Sequence, residues 1–309
     1  MLAPRRNVLL LAVAAACWGL GAVISKRAVD EIPPFTLLPI QLGTSLVVFS
    51  ILMRSRGLPL RDPRASPWLA RLGLLNPGLA YALSLLGLVH ITVSLSVMLW
   101  AFEPVMILAL AAWLLRERIS PRLVALTPVA IGGLLLVLYE PGTSGDLFGA
   151  VLGLAGIGCC AAYTIATRRW LAGADSTAQV VLAQEAYALA FALVLLALDA
   201  LFGGMAPLGA VTPDAWISAI VSGVLYYGLA YWFYLSALRG TPASTAAVSF
   251  YLIPIFGVAG GFVLLGERLG PGQWVGVVVV LAALLGIFRQ TLGSPESGQR
   301  DDRPTANAW

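Results

Sequence analysis

Charge is scarce in this 309-residue chain: 11% of its residues are Asp, Glu, Lys or Arg, and 59% are hydrophobic. A water-soluble domain carries about 25% charged residues, so this chain lacks the charge to solvate its surface in water. Its single histidine, His90, argues against a multi-histidine metal site. Its three cysteines, Cys17, Cys159 and Cys160, lie within apolar segments, which argues against a disulfide framework, and none has metal-ligand spacing. There is no Gly-rich phosphate loop ending in Lys-Ser/Thr and no HExxH. Gly156-Ile157-Gly158 lies inside an apolar run and follows no strand, so it is no nucleotide loop. Paired acids or a Ser/His pair for lipid chemistry cannot be assembled. The expectation is therefore no catalytic residue, no cofactor and no metal. The net charge of +4 comes from basic residues in short loops and at the termini, and no nucleic-acid partner is expected.

Long apolar runs fill that gap, and mean hydropathy is +0.89. A spanning helix needs about 20 apolar residues, and runs of that length predict ten helices. The first five are Val8–Ser25, Phe35–Met53, Trp68–Leu88, Thr92–Leu115 and Pro121–Leu138. The second five are Leu147–Thr167, Ala178–Leu201, Asp214–Leu238, Ala243–Leu265 and Pro271–Phe288. Arg5 and Arg6 before the first run resemble the start of a signal peptide. No small-residue cleavage site follows and more spans do, so the run reads as the first membrane helix. The segment 290–309 is rich in Ser, Pro, Gly and charge and reads as a disordered tail.

Basic residues set the orientation. With the N-terminus in the cytoplasm and ten alternating spans, all but Lys26, Arg27 and Arg268 of the 19 Lys and Arg fall on the inner side. That is a strong positive-inside asymmetry, with both termini cytoplasmic.

The chain also repeats. Pro104, Leu114, Leu115, Glu117, Arg118 and Pro121 recur as Pro254, Leu264, Leu265, Glu267, Arg268 and Pro271, each shifted by 150. A weaker echo links Cys17 and Ser25-Lys26-Arg27 to Cys159 and Thr167-Arg168-Arg169. Each unit holds five spans, an odd number, so residues 140–289 enter the membrane opposite to residues 1–139. Fold class is accordingly an all-α membrane protein of ten helices in two inverted five-helix repeats, an architecture of secondary transporters.

The doubled Leu-Leu-x-Glu-x-x-x-Pro pattern, the Glu103-Pro104 step and Cys17-Trp18-Gly19 resemble the drug/metabolite transporter superfamily, EamA type. So does the run from Ser236-Ala237-Leu238 through Pro242 and Ala243 to Tyr251–Pro254. The resemblance covers all but the tail. It implies a small-molecule substrate, a lipid environment, and a central cavity lined by helices 1, 3, 4, 6, 8 and 9. Helices 5 and 10 are implied to be peripheral. Superfamily members move amino acids, pigments, drugs and other metabolites, mostly outward in bacteria.

Polar groups within a membrane are costly and tend to face a cavity or a partner. Ser96, Trp100 and Glu103 follow i, i+4, i+7 spacing and share one helical face. Glu103 reads as a substrate-ammonium or proton site, or as a structural acid at the Pro104 kink. The face related by the 150-residue shift, Ala246, Phe250 and Ile253, is wholly apolar, which suits an amphipathic solute. Tyr227, Tyr231 and Tyr234 form a stripe that lines the cavity or joins an interfacial belt. Trp18, Tyr81 and Tyr163 are wall or packing residues, and Asn76 before Pro77 places an amide at a helix irregularity. Glu185 reads as structural or interfacial, because helix 7 lies outside the implied cavity set. Glu117 and Glu267 read as caps or local ion-pair partners. The GxxxG steps at Gly149, Gly257 and Gly272 predict close helix approach. The resulting expectation is an inner-membrane exporter of amino acids or similar small amphipathic metabolites, with protons as a candidate coupling ion. The alternative is a multidrug or lipophilic-cation exporter.

Orientation is directly testable. A cysteine introduced within residues 54–71 should resist an impermeant thiol reagent in intact cells and react once the membrane is opened. Efficient labelling from outside would overturn the orientation.

Overall fold

A computed structural model of the chain describes residues 2–60, 66–90, 99–100, 102–117, 119–138, 147–171, 173–174, 176–202, 208–264 and 270–293. Every regular element among them is helical. The α-helices are α1 (Leu2–Val29), α2 (Pro34–Ser55), α3 (Pro67–Gly73), α4 (Ala80–His90), α5 (Glu103–Leu114) and α6 (Pro121–Leu138). They continue as α7 (Leu147–Leu171), α8 (Thr177–Leu201), α9 (Pro213–Gly223), α10 (Ala230–Leu238), α11 (Ala243–Ala247), α12 (Leu252–Leu264) and α13 (Pro271–Gly293). Among the described residues, six helical stretches are long and apolar enough to cross a membrane: Arg5–Ser25, Pro34–Ser55, Leu147–Leu171, Thr177–Leu201, Pro213–Leu238 and Ala243–Gly261. This is a multi-pass membrane protein.

Proline starts many of these helices. Pro34, Pro67, Pro121, Pro213 and Pro271 each open one, where the missing N–H is harmless and the fixed φ suits the first turn. Elsewhere the apolar runs are less uniform than hydropathy suggests. The run expected as one helix from Trp68 to Leu88 is divided by a π-turn, Leu74–Leu79, in which Asn76 is extended (φ −148, ψ 123). Pro77 accounts for this, since it lacks an N–H and disfavours the helical region for the residue before it. The run from Asp214 to Leu238 is divided by a second π-turn, Val224–Leu229. The two π-turns are separated by 150 residues, the same shift that relates the sequence motifs. In the span expected from Thr92, a helix begins at Glu103 with Pro104 beside it in the first turn. A 3-10 turn, Val248–Tyr251, joins α11 to α12. Of the expected tail, 290–309, residues 290–293 instead continue the last helix to Gly293, and the rest lies outside the described residues.

Packing follows the small residues. Helix α1 lies against α9, α10 and α12; α4 and α5 lie against α7; α2 packs on α8; and α6 packs on α13. Gly149 and Gly153 face Gly87, Gly257 faces Gly19, and Gly276 faces Gly133, so each GxxxG step meets a glycine of another helix.

The tightest approaches come as a matched pair. A Cβ at Gly73 would collide with the backbone of Gln184, and one at Gly223 would lie 2.6 Å from the Gln41 carbonyl oxygen. Both glutamines are buried, and each ties its own helix to two others. Gln41 Nε2 donates to Ser25 Oγ of α1 (2.7 Å) and Ser222 Oγ of α9 (2.8 Å). Gln184 Nε2 donates to the Leu69 carbonyl of α3 (2.9 Å), and its Oε1 accepts from the Tyr163 hydroxyl of α7 (2.7 Å).

Two acids close connections at the helix ends. Glu117 accepts from Ala243 N (2.8 Å), Ser244 N (3.1 Å) and Ser244 Oγ (2.6 Å), so it caps α11 as expected. Glu267, Arg118 and Arg268 lie outside the described residues. Glu31, in the turn after α1, accepts from the Thr212 N–H and hydroxyl, both at 2.7 Å. The Thr212 N–H, then its hydroxyl, hold the Glu31 carboxyl below its usual value.

The glycine contacts can be checked by substitution. Gly73→Ala and Gly223→Ala should each destabilise the protein by about 1–3 kcal/mol, the usual cost of overpacking, read as a lower unfolding midpoint in detergent. Gly158→Ala meets nothing within 4 Å and should leave the midpoint unchanged or raise it. Equal midpoints for all three would contradict the packing.

Candidate functional site

Aromatic rings from both parts of the chain meet in the interior. Trp18, on the buried side of α1 with Leu11, Ala14 and Cys17, is edge-on to three rings. Its centroid lies 5.3 Å from Tyr231, 5.5 Å from Tyr234 and 5.5 Å from Phe250. Tyr231 also meets Tyr163 of α7 at 6.2 Å. Edge-to-face pairs of this kind contribute about 0.5–1.5 kcal/mol each beyond burial, so the rings hold a defined arrangement. The Tyr231 hydroxyl donates to Asn76 Oδ1 at 3.2 Å, and the extended backbone at Asn76 exposes that oxygen to it.

A second group centres on Tyr81 of α4. Its ring lies 5.8 Å from Tyr227, 5.9 Å from Tyr226 and 6.3 Å from Trp100. Tyr226 and Tyr227 are adjacent in sequence, yet both rings reach this group, 5.2 Å apart. In a regular α-helix neighbouring side chains diverge; the wider π-turn at Val224–Leu229 turns both inward. Tyr81 and Trp100 are only partly buried.

Glu103 is buried, with 8% of its surface exposed. It sits in the first turn of α5, where unsatisfied backbone N–H groups favour a negative side chain. Tyr226, Tyr234 and Cys160 lie within electrostatic reach of it.

Among the residues expected to form the site, the structure links Trp18, Asn76, Tyr163 and Tyr231 in one group and Tyr81, Trp100 and Tyr227 in the other. Ser96 lies outside the described residues. Tyr226, Tyr234 and Phe250 belong to the same assembly. Tyr226 was hidden from a periodicity argument by the π-turn.

The clearest omission is Glu185, expected as structural and set apart from the cavity. It lines a small cavity with Pro77, Val181, Gln184, Tyr227 and Tyr231, directly behind two of the expected residues. The signal was present in the sequence as an adjacent Gln184-Glu185 pair within an apolar run. Chemically, the assembly offers ring faces for apolar or cationic groups, hydroxyl and amide groups from Tyr231 and Asn76, and a carboxyl at Glu103.

Comparison with known proteins agrees with this architecture. The chain matches the EamA-like transporter family over residues 5–139 and again over residues 147–289. It is 27% identical over 286 residues to an uncharacterized transporter of Archaeoglobus fulgidus, covering 89% of this chain and 95% of that protein. It is 30% identical over 256 residues to a protein of Streptantibioticus cattleyicolor named "Probable terminal-alkyne amino-acid exporter", covering 80% of this chain and 83% of that protein. A crystal structure with 19% identity superposes with a TM-score of 0.74, covering 91% of this chain and 97% of that one, and so shares the fold. With the family matched along almost the whole length, the chain belongs to the EamA-like transporter family.

Proposed function

We propose that this protein is a secondary transporter that exports amino acids or similar small amphipathic metabolites across the bacterial inner membrane. The observation that carries the reading is the two linked aromatic groups. Trp18, Tyr81 and Trp100 come from the first part of the chain and Tyr163, Tyr227 and Tyr231 from the second, with Glu103 and Asn76 beside them. Ring faces accept the apolar part of an amphipathic solute and, by cation–π attraction, an ammonium group. Glu103 supplies the opposing charge, and the hydroxyls and the Asn76 amide serve the polar end. The relative named for terminal-alkyne amino-acid export supports both the substrate class and the outward direction.

Movement follows from the proposed architecture of ten spans in two inverted halves, 1–139 and 140–289, with both termini in the cytoplasm. Three observations support that architecture. The sequence motif and the two π-turns share one shift of 150 residues. The Gly73–Gln184 and Gly223–Gln41 contacts mirror each other across the halves. The family matches the chain twice. Related halves that pack in two equivalent ways give alternating access around a site between them.

The same rings and Glu103 would also hold a lipophilic cation, and this second reading is separated by experiment. Counterflow in proteoliposomes, tried with each of the twenty amino acids and with cationic dyes, should reveal exchange of one or more amphipathic amino acids. Exchange of dyes alone would move the protein to the second reading, and exchange of neither would overturn both. Trp100→Ala should weaken exchange about tenfold or more, since a desolvated cation–π contact contributes about 2 kcal/mol. The unfolding midpoint of this partly exposed position should stay near that of the wild type. Unchanged exchange would remove Trp100 from the wall.

A further inference from the structure

Glu185 is set into the interior in a way the aromatic site does not require. It lies on α8, 3% exposed, and its Oε1 accepts one hydrogen bond, from Ser45 Oγ of α2 at 2.9 Å. Its Oε2 is fully buried and has no hydrogen-bond partner among the described protein atoms. The neighbouring Gln184 amide is committed on both sides, to Leu69 and Tyr163, and the Tyr231 hydroxyl is committed to Asn76. The cavity beside Glu185 has room for about one water molecule.

We propose that Glu185 is a proton-binding site of the transport cycle, loaded when the cavity beside it is as small as it is here and unloaded when that cavity opens to bulk water. The chemistry of the pocket selects the proton over other ions. A metal cation needs several oxygen ligands, whereas the uncommitted group here is one carboxyl oxygen. An amino acid exceeds the space. A buried carboxylate whose second oxygen has no protein partner and at most one water beside it is strongly disfavoured, so this packing accommodates the neutral acid, Oε2–H. When water enters, the O–H bond at Oε2 breaks, the proton passes to that water and the carboxylate remains hydrated. Reloading is the reverse step from the other side.

Placement of the groups explains how this could follow the cycle. Ser45 and Pro77 belong to the first part of the chain, and Glu185, Tyr227 and Tyr231 to the second, so relative motion of the two parts reshapes the cavity. The titratable groups facing Glu185 are Tyr163 from α7, Tyr227 from the π-turn and Tyr231 from α10. Of the other packed segments, α2 presents Ser45, the Leu74–Leu79 turn presents Pro77, and α3 presents Leu69 and Gly73 with its Arg71 exposed, so none of them brings a titrating group to Glu185. Tyr227 and Tyr231 belong both to this cavity and to the aromatic groups, and so would transmit occupancy of one to the other. The coupling role rests on the transporter reading; proton binding itself does not.

Infrared difference spectroscopy of the full-length protein in lipid, without substrate, tests the binding step. Between alkaline and acidic buffer, the wild type should gain the carbonyl-stretch band of a protonated, buried carboxylic acid. Glu185→Gln should lose that band, Glu103→Gln should keep it, and Ser45→Ala should shift its frequency by removing the one hydrogen bond. A band unchanged in Glu185→Gln, or no band in the folded wild type, would overturn the proposal. The coupling step is read with a pH-sensitive dye trapped in proteoliposomes and a mixture of the twenty amino acids added outside. Wild type should move protons, and Glu185→Gln should exchange amino acids without moving them. Proton movement that persists in Glu185→Gln would overturn the coupling role. Failure of all amino-acid exchange beside an intact infrared titration would instead refute the substrate reading and leave the proton site standing.

Discussion

Gln41 and Gln184 lie with their backbones pressed against glycines of other helices, Gly223 and Gly73, and much of the interior is arranged around those two approaches. In a membrane no solvent satisfies a buried amide, so a glutamine is tolerated only where other helices supply its partners. Each glutamine finds them on two helices at once, α1 and α9 for Gln41, α3 and α7 for Gln184. Absence of a side chain at the glycine is what permits that reach. The π-turn begins at the next residue after each glycine, at Leu74 and at Val224, and redirects the side chains that follow toward the centre. Close approach and amide bracket thus occur twice, followed in the first part by a kink at the extended Asn76 and in the second by an unbroken π-turn.

These approaches and turns place the aromatic rings. Asn76 falls inside the first π-turn, Tyr226 and Tyr227 inside the second, and Tyr81 and Tyr231 in the first residues after each. Trp18 and Tyr163 approach from α1 and α7, the helices gathered in by the Gln41 and Gln184 brackets respectively. Rings held edge-on leave few alternative arrangements, so a change in how the two parts of the chain pack would alter the assembly as a unit. Glu103 lies at the start of a helix and Glu185 behind the tyrosines.

Much of this was legible in the residues. Apolar runs located the helices because hydrocarbon demands a minimum length of them, and Pro121–Leu138 was delimited to the residue by its flanking prolines and charges. Trp18, Asn76, Tyr81, Trp100, Tyr163, Tyr227 and Tyr231 were identifiable as polar or aromatic residues in otherwise apolar helices. The breaks were harder to see. Asn76-Pro77 announced one, but Val224–Leu229 holds no proline to announce the π-turn there. Tyr226 was missed for that reason. Glu185 was visible as an intramembrane acid and was read as structural or interfacial because its helix lay outside the implied cavity set. Helix number is a poor guide to what a side chain faces when a polar pair brackets three helices together.

In the proposed cycle, the two parts of the chain rock about the aromatic groups, opening one side of the membrane as the other closes. Paired spin labels on the ends of α1 and α7 test it most directly, with the protein in lipid and an amino-acid mixture added. One pair is Arg6 with Trp170 and the other is Asp30 with Phe148, all exposed positions. Rocking should change the two distances reciprocally, one lengthening as the other shortens. Two distances that stay fixed, or that lengthen and shorten together, would contradict it.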